Sequence, residues 1–322
     1  MQTSRFVDDL KKEIAYEKEY KYQVPYDQSE YYKTITGVIA DALAKNDSLN
    51  PSSFDWFKDF FEFHFEYSMF ACTELGRNET ALEHLGKAVC YGSIALLQAP
   101  KTCGCVPGNN PFLVSNKAVF MASLLLLTQE DNAFETAVAY LIESLNGNNC
   151  IIKRGYNKAT ISWFLLRIFG LFSHREINLH PLLQPKLPRE HEEVLAQWDT
   201  GDETQIQKFI DVLCEIHLAQ AALDLADADL DDDIYNAKYR ELYLPAMYAF
   251  PFEILVWFKL RERKGLQNPN AFSHPLMNTP IAKFFLALEA PLPKPTALPH
   301  AKDLLEKIKV KCPAVEIPPW VP

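Results

Sequence analysis

Apolar residues recur every three to four positions through segment after segment of this chain. That period places them along one face of a helix and leaves little room for sheet. Phe6, Val7, Leu10 and Ile14 form a first stripe. Asp27 and Glu30 stand at capping-box spacing before a second, Ile35, Val38, Ile39 and Leu43. The pattern continues over 54–75, closed by Gly76, and then over 79–97, 112–128, 133–145, 157–172, 190–198, 204–226 and 234–244. Alternating runs closed by Asn-Gly or Asp-Gly turns are nearly absent, and only 11 of 322 residues are glycine. The chain is therefore expected to be all-α: a multi-helix stack or bundle of antiparallel helices, open to a helical-repeat arrangement. It reads as a single helical domain. Its natural subdivision is into N-terminal helices at 1–98 and a helical body at 112–322, flanking an irregular stretch with Cys103-Gly104-Cys105, Pro107 and Gly108.

Charge narrows the function. The formal net charge is -10, which repels a nucleic-acid partner and attracts a basic protein surface. No apolar run is long enough to span a bilayer; the longest, 118–127, is interrupted by Ser123. The charged N-terminus lacks the apolar core of a secretory signal. Seven cysteines without regular spacing suit a reduced compartment, so a cytoplasmic protein is expected.

Six aspartates fall within ten positions: Asp224, Asp227, Asp229, Asp231, Asp232 and Asp233. Such a run is costly unless something positive binds it. An EF-hand fails, because with Asp227 as first ligand Asp232 stands where the loop needs Gly, and Lys238 where it needs Glu. A Mg-diphosphate site needs a second oxygen-ligand motif on a facing helix, and none is evident. A solvated loop and a protein-binding patch remain. Tyr235, Tyr239 and Tyr243 follow at helical spacing and could form an aromatic edge beside the acids, or pack inward.

The segment from Phe54 carries aromatics nearly all round, with Asp55, Asp59, Glu62 and Glu66 stepping by four, three and four along one narrow face. This reads as a buried helix with one solvated edge, or as a second carboxylate stripe for a partner. Cys103 and Cys105, with Cys72 and Cys90 upstream, lack the second ligand pair of a zinc site; Cys214 and His217 share a helix face but are only two ligands. No phosphate loop, dinucleotide fingerprint or nucleophile elbow occurs, so neither catalysis nor a cofactor is expected.

Two C-terminal segments have a more specific character. One runs Leu244-Pro245-Ala246-Met247-Tyr248-Ala249-Phe250-Pro251-Phe252-Glu253-Ile254-Leu255-Val256-Trp257-Phe258. The other runs from His274-Pro275-Leu276-Met277-Asn278-Thr279-Pro280 through Lys283-Phe284-Phe285-Leu286-Ala287-Leu288-Glu289, and the chain closes on Ala314-Val315-Glu316-Ile317-Pro318-Pro319-Trp320. This order resembles immunity-protein family 49 of bacterial polymorphic toxin systems. Residues 88–97 and 114–116 also look similar in placement, so the resemblance covers the last two-thirds of the chain. It implies an inhibitor that blocks a cognate, contact-delivered toxin, such as a type VI secretion effector with nuclease activity, and no catalytic residues. Bottom-up, the expected partner is a toxin with a basic surface, met by the aspartate run with Tyr235 and Tyr239, and secondly by the Asp55–Glu66 stripe. The alternatives are a Mg-dependent helical-bundle enzyme acting on a diphosphate and a helical-repeat scaffold. Oligomeric state is left open.

Overall fold

The computed structural model describes residues 30–45, 54–73, 76–102, 113–147, 151–152, 159–178, 185–228 and 240–322. Their regular secondary structure is helical, apart from one two-residue parallel ladder that pairs Leu113 with Ile151 and Val114 with Ile152. None of the described helices is long and apolar enough to cross a membrane. The chain divides into two compact units, Met1–Phe112 with Pro291–Pro322, and Leu113–Ala290.

In the first unit lie α1 (Glu30–Ala44), α2 (Phe54–Thr73), α3 (Asn78–Gln98) and α11 (Ala301–Lys311). The chain turns from α2 to α3 at Gly76, whose φ of 59° suits a residue without Cβ, and the Arg77 amide donates to the Ala71 carbonyl at 2.9 Å. Phe57, Phe60, Phe61 and Phe65 of α2 are buried, and Phe60 stacks on Tyr91 of α3 at 4.8 Å. Between the two helices His64 and His84 are buried, with their Nδ1 atoms 3.0 Å apart. Burial holds both rings below the ordinary histidine range, His84 at about 4, so the pair is neutral and shares one proton at that contact.

Periodicity alone groups 291–322 with the second body, whereas the contacts place it in the first unit. Tyr91 Oη donates to the Pro299 carbonyl at 2.9 Å, Gln98 Oε1 accepts the Glu316 amide at 3.0 Å, and Lys101 pairs with Glu316 at 2.8 Å. Lys307 donates to the carbonyls that end α1, at Leu43 and Lys45. A Cβ on Gly86 would come within 3.2 Å of the Pro293 carbonyl, so glycine lets this segment lie close on α3.

The second unit holds α4 (Asn116–Leu127), α5 (Asp131–Asn146), α6 (Thr160–Ser173), α7 (Arg189–Ala196), α8 (Glu203–Ala228), α9 (Phe252–Arg263) and α10 (Pro280–Leu286). Ser115 caps α4 by accepting the Ala118 amide, and every residue of α4 except Lys117 is buried. α6 and α9 are apolar over most of their circumference and form the rest of the centre. Arg261 of α9 is wholly buried, and carbonyls of Trp198, Thr200 and Gln267 and the Asn268 side chain take its donors at 2.9–3.0 Å. A guanidinium can be buried here because its protons are matched by acceptors.

The helix expected over 234–244 does not extend through its last five residues. Arg240–Leu244 is non-helical. Its backbone groups are taken by side chains from elsewhere, as described next, and Pro245 disfavours the helical region at Leu244.

Candidate interaction surface around the acidic run

α8 buries Ile206, Phe209, Ile210, Leu213, Cys214, His217 and Ala221, a face spaced by threes and fours, and Asp224 falls on that same face. The first aspartate of the run is thus 2% exposed and is not a partner-facing residue. Its Oδ2 accepts the Leu242 amide at 2.8 Å; its Oδ1 accepts the Glu241 amide at 3.3 Å and the Gln220 side chain at 3.0 Å. Burial raises the Asp224 pKa, opposed by those hydrogen bonds.

Glu241 extends the network. Its carboxylate accepts the Thr160 amide at 2.9 Å and the Ser162 amide at 2.7 Å, where an acid is favoured at the start of α6. Full burial nevertheless pushes the carboxyl up to about 7. Asn116 donates to the carbonyls of Arg240 and Glu241, both at 2.9 Å. Together these contacts join the last turns of α8 to residues 240–242, so the two sides of the acidic segment are tied at one place.

Asp227 lies in α8, four residues beyond Leu223. Asp229, Asp231, Asp232, Asp233, Tyr235 and Tyr239 lie outside the described residues. Tyr243 meets Phe120 edge-on at 6.4 Å, and the Lys117 ammonium lies 4.8 Å from its ring centre. The third tyrosine of the proposed aromatic edge therefore packs inward.

The second stripe, in α2, is graded. Asp55 is exposed and pairs with Lys58 at 2.6 Å, Asp59 and Glu62 are half-buried, and Glu66 is 8% exposed. Glu66 is withdrawn from the surface because α2 is buried on nearly every side by that turn. The stripe is a solvated edge that narrows along the helix.

One pair went unnoticed in the sequence. His217 Nδ1 lies 2.8 Å from Glu253 Oε1, and both side chains are almost fully buried. Its Nε2 faces the Met247 carbonyl at 3.0 Å and the Tyr248 carbonyl at 3.2 Å. Both ring nitrogens face acceptors, which suits the doubly protonated ring. Burial alone would lower the His217 pKa; the Glu253 charge, its hydrogen bond and the two carbonyls outweigh it and hold it raised. Neighbouring Cys214 is pushed up by burial and by Glu253, the reverse of what a nucleophilic or metal-bound thiolate requires. Among the described residues no three His, Cys, Asp or Glu side chains converge as a metal site needs.

His191 of α7 is fully buried, stacked on Phe164 at 4.8 Å, with no hydrogen bond to either ring nitrogen. Burial lowers it to about 4, so the native ring stays neutral while an unfolded ring takes up a proton below about 6.5. Stability from this site is complete above about pH 6.5 and is lost as pH falls towards 4. His191→Phe is expected to make the chain more stable at pH 5 by about 2 kcal/mol relative to its effect at pH 8. Urea unfolding of both proteins at the two pH values checks this.

A cleft of about 670 Å³ opens beside Trp163, Arg167, Leu171 and His174. Its arginines are already engaged, Arg167 by Glu192 and Arg175 by Glu143. Comparison with protein-family models, with curated proteins and with solved structures found no match.

Proposed function

We propose that the chain is an immunity protein that binds a cognate secreted toxin and blocks it, with the aspartate segment as the surface that meets the toxin's basic groove. The carrying observation is the Asp224 clamp. A buried carboxylate ties the end of α8 to residues 240–242, which flank the remaining acids in sequence. Concentrated charge steers a basic partner and speeds encounter. The net charge of -10 acts in the same direction. The C-terminal resemblance supplies the class of partner.

Against the diphosphate–Mg alternative stands Asp224, whose carboxylate is buried with both oxygens accepting backbone amides. The test of the immunity reading is rescue. The chain is co-expressed in a sensitive host with the product of a secreted-toxin reading frame beside its own gene. Restored growth supports the reading; unrelieved killing with both proteins present contradicts it.

A further inference from the structure

Residue 241 is held from two sides by buried carboxyls. Its backbone amide donates to Asp224 Oδ1 of α8, and its own carboxylate accepts the Thr160 and Ser162 amides at the start of α6. Leu242 gives a second amide to Asp224, and Asn116 of α4 donates to the carbonyls of Arg240 and Glu241. Asp224 and Glu241 are both 2% exposed. Two carboxyls therefore carry much of the attachment of residues 240–242 to α6 and α8.

The partners of both carboxyls are amides and hydroxyls; among the described residues no cation hydrogen-bonds to either. Arg240, in the same segment, acts on the Asp224 charge, and Lys117 of α4 lies over the Tyr243 ring two residues on. The nearest charge on Glu241 is that of Asp224, which is of the same sign. Two like charges buried together without a paired cation are costly. A proton on Glu241 removes that cost and has a place to go. Thr160 Oγ1 lies 3.4 Å from Oε2, and a hydroxyl accepts as readily as it donates.

We propose that Asp224 and Glu241 form a proton-operated catch: with Glu241 protonated, residues 240–242 stay docked on α6 and α8, and with both carboxyls charged the segment lets go. Burial, with the Asp224 charge added, pushes Glu241 from its ordinary 4.5 up to about 7, against the hydrogen bonds from α6. A raised native value means that the docked segment holds the proton more tightly than the released one. The support is therefore complete below about pH 4.5 and is lost as pH rises through about 7. That interval reaches neutrality, whereas burial holds His84 and His191 at about 4. The catch would work in the same way whatever partner the acidic run meets.

Hydrogen exchange of the full-length chain tests it, with the rate of each amide divided by its intrinsic rate. Between pH 5.5 and 8.5 the Thr160, Ser162, Glu241 and Leu242 amides should lose protection by roughly tenfold or more. Amides in the middle of α3, in the other unit, should lose none. The Glu241 side-chain carboxyl, followed by carbon-13 NMR, should titrate in the same interval. Glu241→Gln should remove the pH dependence at Thr160, Ser162 and Leu242. Asp224→Asn, which takes away the neighbouring charge, should move the Glu241 midpoint down by about half a pH unit or more. If Glu241→Gln does not fold, the wild-type exchange and the Asp224→Asn titration decide. Protection that does not change with pH overturns the catch, even where the carboxyl titrates near neutrality. So does a Glu241 midpoint below about pH 5, a Glu241→Gln protein with the wild-type pH dependence, or a midpoint that Asp224→Asn leaves in place.

Discussion

His217→Leu is expected to destabilise the protein by about 3–5 kcal/mol, because it leaves the Glu253 carboxylate buried without its partner. Glu253 is 1% exposed and His217 fully buried, so neither water nor a surface cation can replace the lost contact. A loss of that size is a large fraction of the stability of a typical domain. His217→Leu with Glu253→Leu should recover most of it, since removing both charges removes their desolvation cost. Recovery should stop about 1–2 kcal/mol short, because the Met247 and Tyr248 carbonyls lose their donor. The pH dependence follows from the raised His217 pKa. The native state holds its proton to a higher pH than the unfolded chain, so the contribution is complete below about 6.5 and is lost as pH rises through the native value. Urea unfolding across pH 6–9 should show that decline in the wild type, and the double variant should keep only the smaller part that the raised Glu241 carboxyl gives near pH 7.

Asp224→Ala should cost about 2–4 kcal/mol, because it leaves the Glu241 and Leu242 amides buried without acceptors and frees Gln220. The more specific consequence is local. Hydrogen exchange at those two amides should lose protection, while amides in the middle of α4 keep theirs. Asp224→Asn retains one acceptor oxygen and should fall between wild type and Ala. Unchanged exchange at Glu241 and Leu242 would show that the clamp does not hold the base of the acidic segment.

The helices were legible because their apolar period is strong and their stops are chemical, such as Gly76 after α2. Residues 240–244 were misread as helix because what captures their backbone comes from Asp224 and Asn116, distant in sequence. The attachment of 291–322 to the first unit was invisible for the same reason: Tyr91 and Pro299 are 208 residues apart. The inward turn of Asp224 did have a signal. It stands seven residues after His217 and three after Ala221, on the apolar face of α8. Reading the aspartates as one charged run hid that periodicity. Glu253 stands in the first turn of α9, but its partner lies 36 residues away. Nothing in local sequence pairs them.

The central claim is that Asp227–Asp233 charge brings a basic toxin to this chain, and association kinetics test it most directly. Stopped-flow mixing would pair the chain with the toxin domain from the neighbouring reading frame, at low and high salt. Wild type should associate fast and slow markedly as salt rises. The variant with Asp229, Asp231, Asp232 and Asp233 all changed to Lys should associate at least tenfold more slowly at low salt, lose that salt dependence and fail to protect cells. An unchanged rate, with the same salt dependence and full protection, would contradict the account.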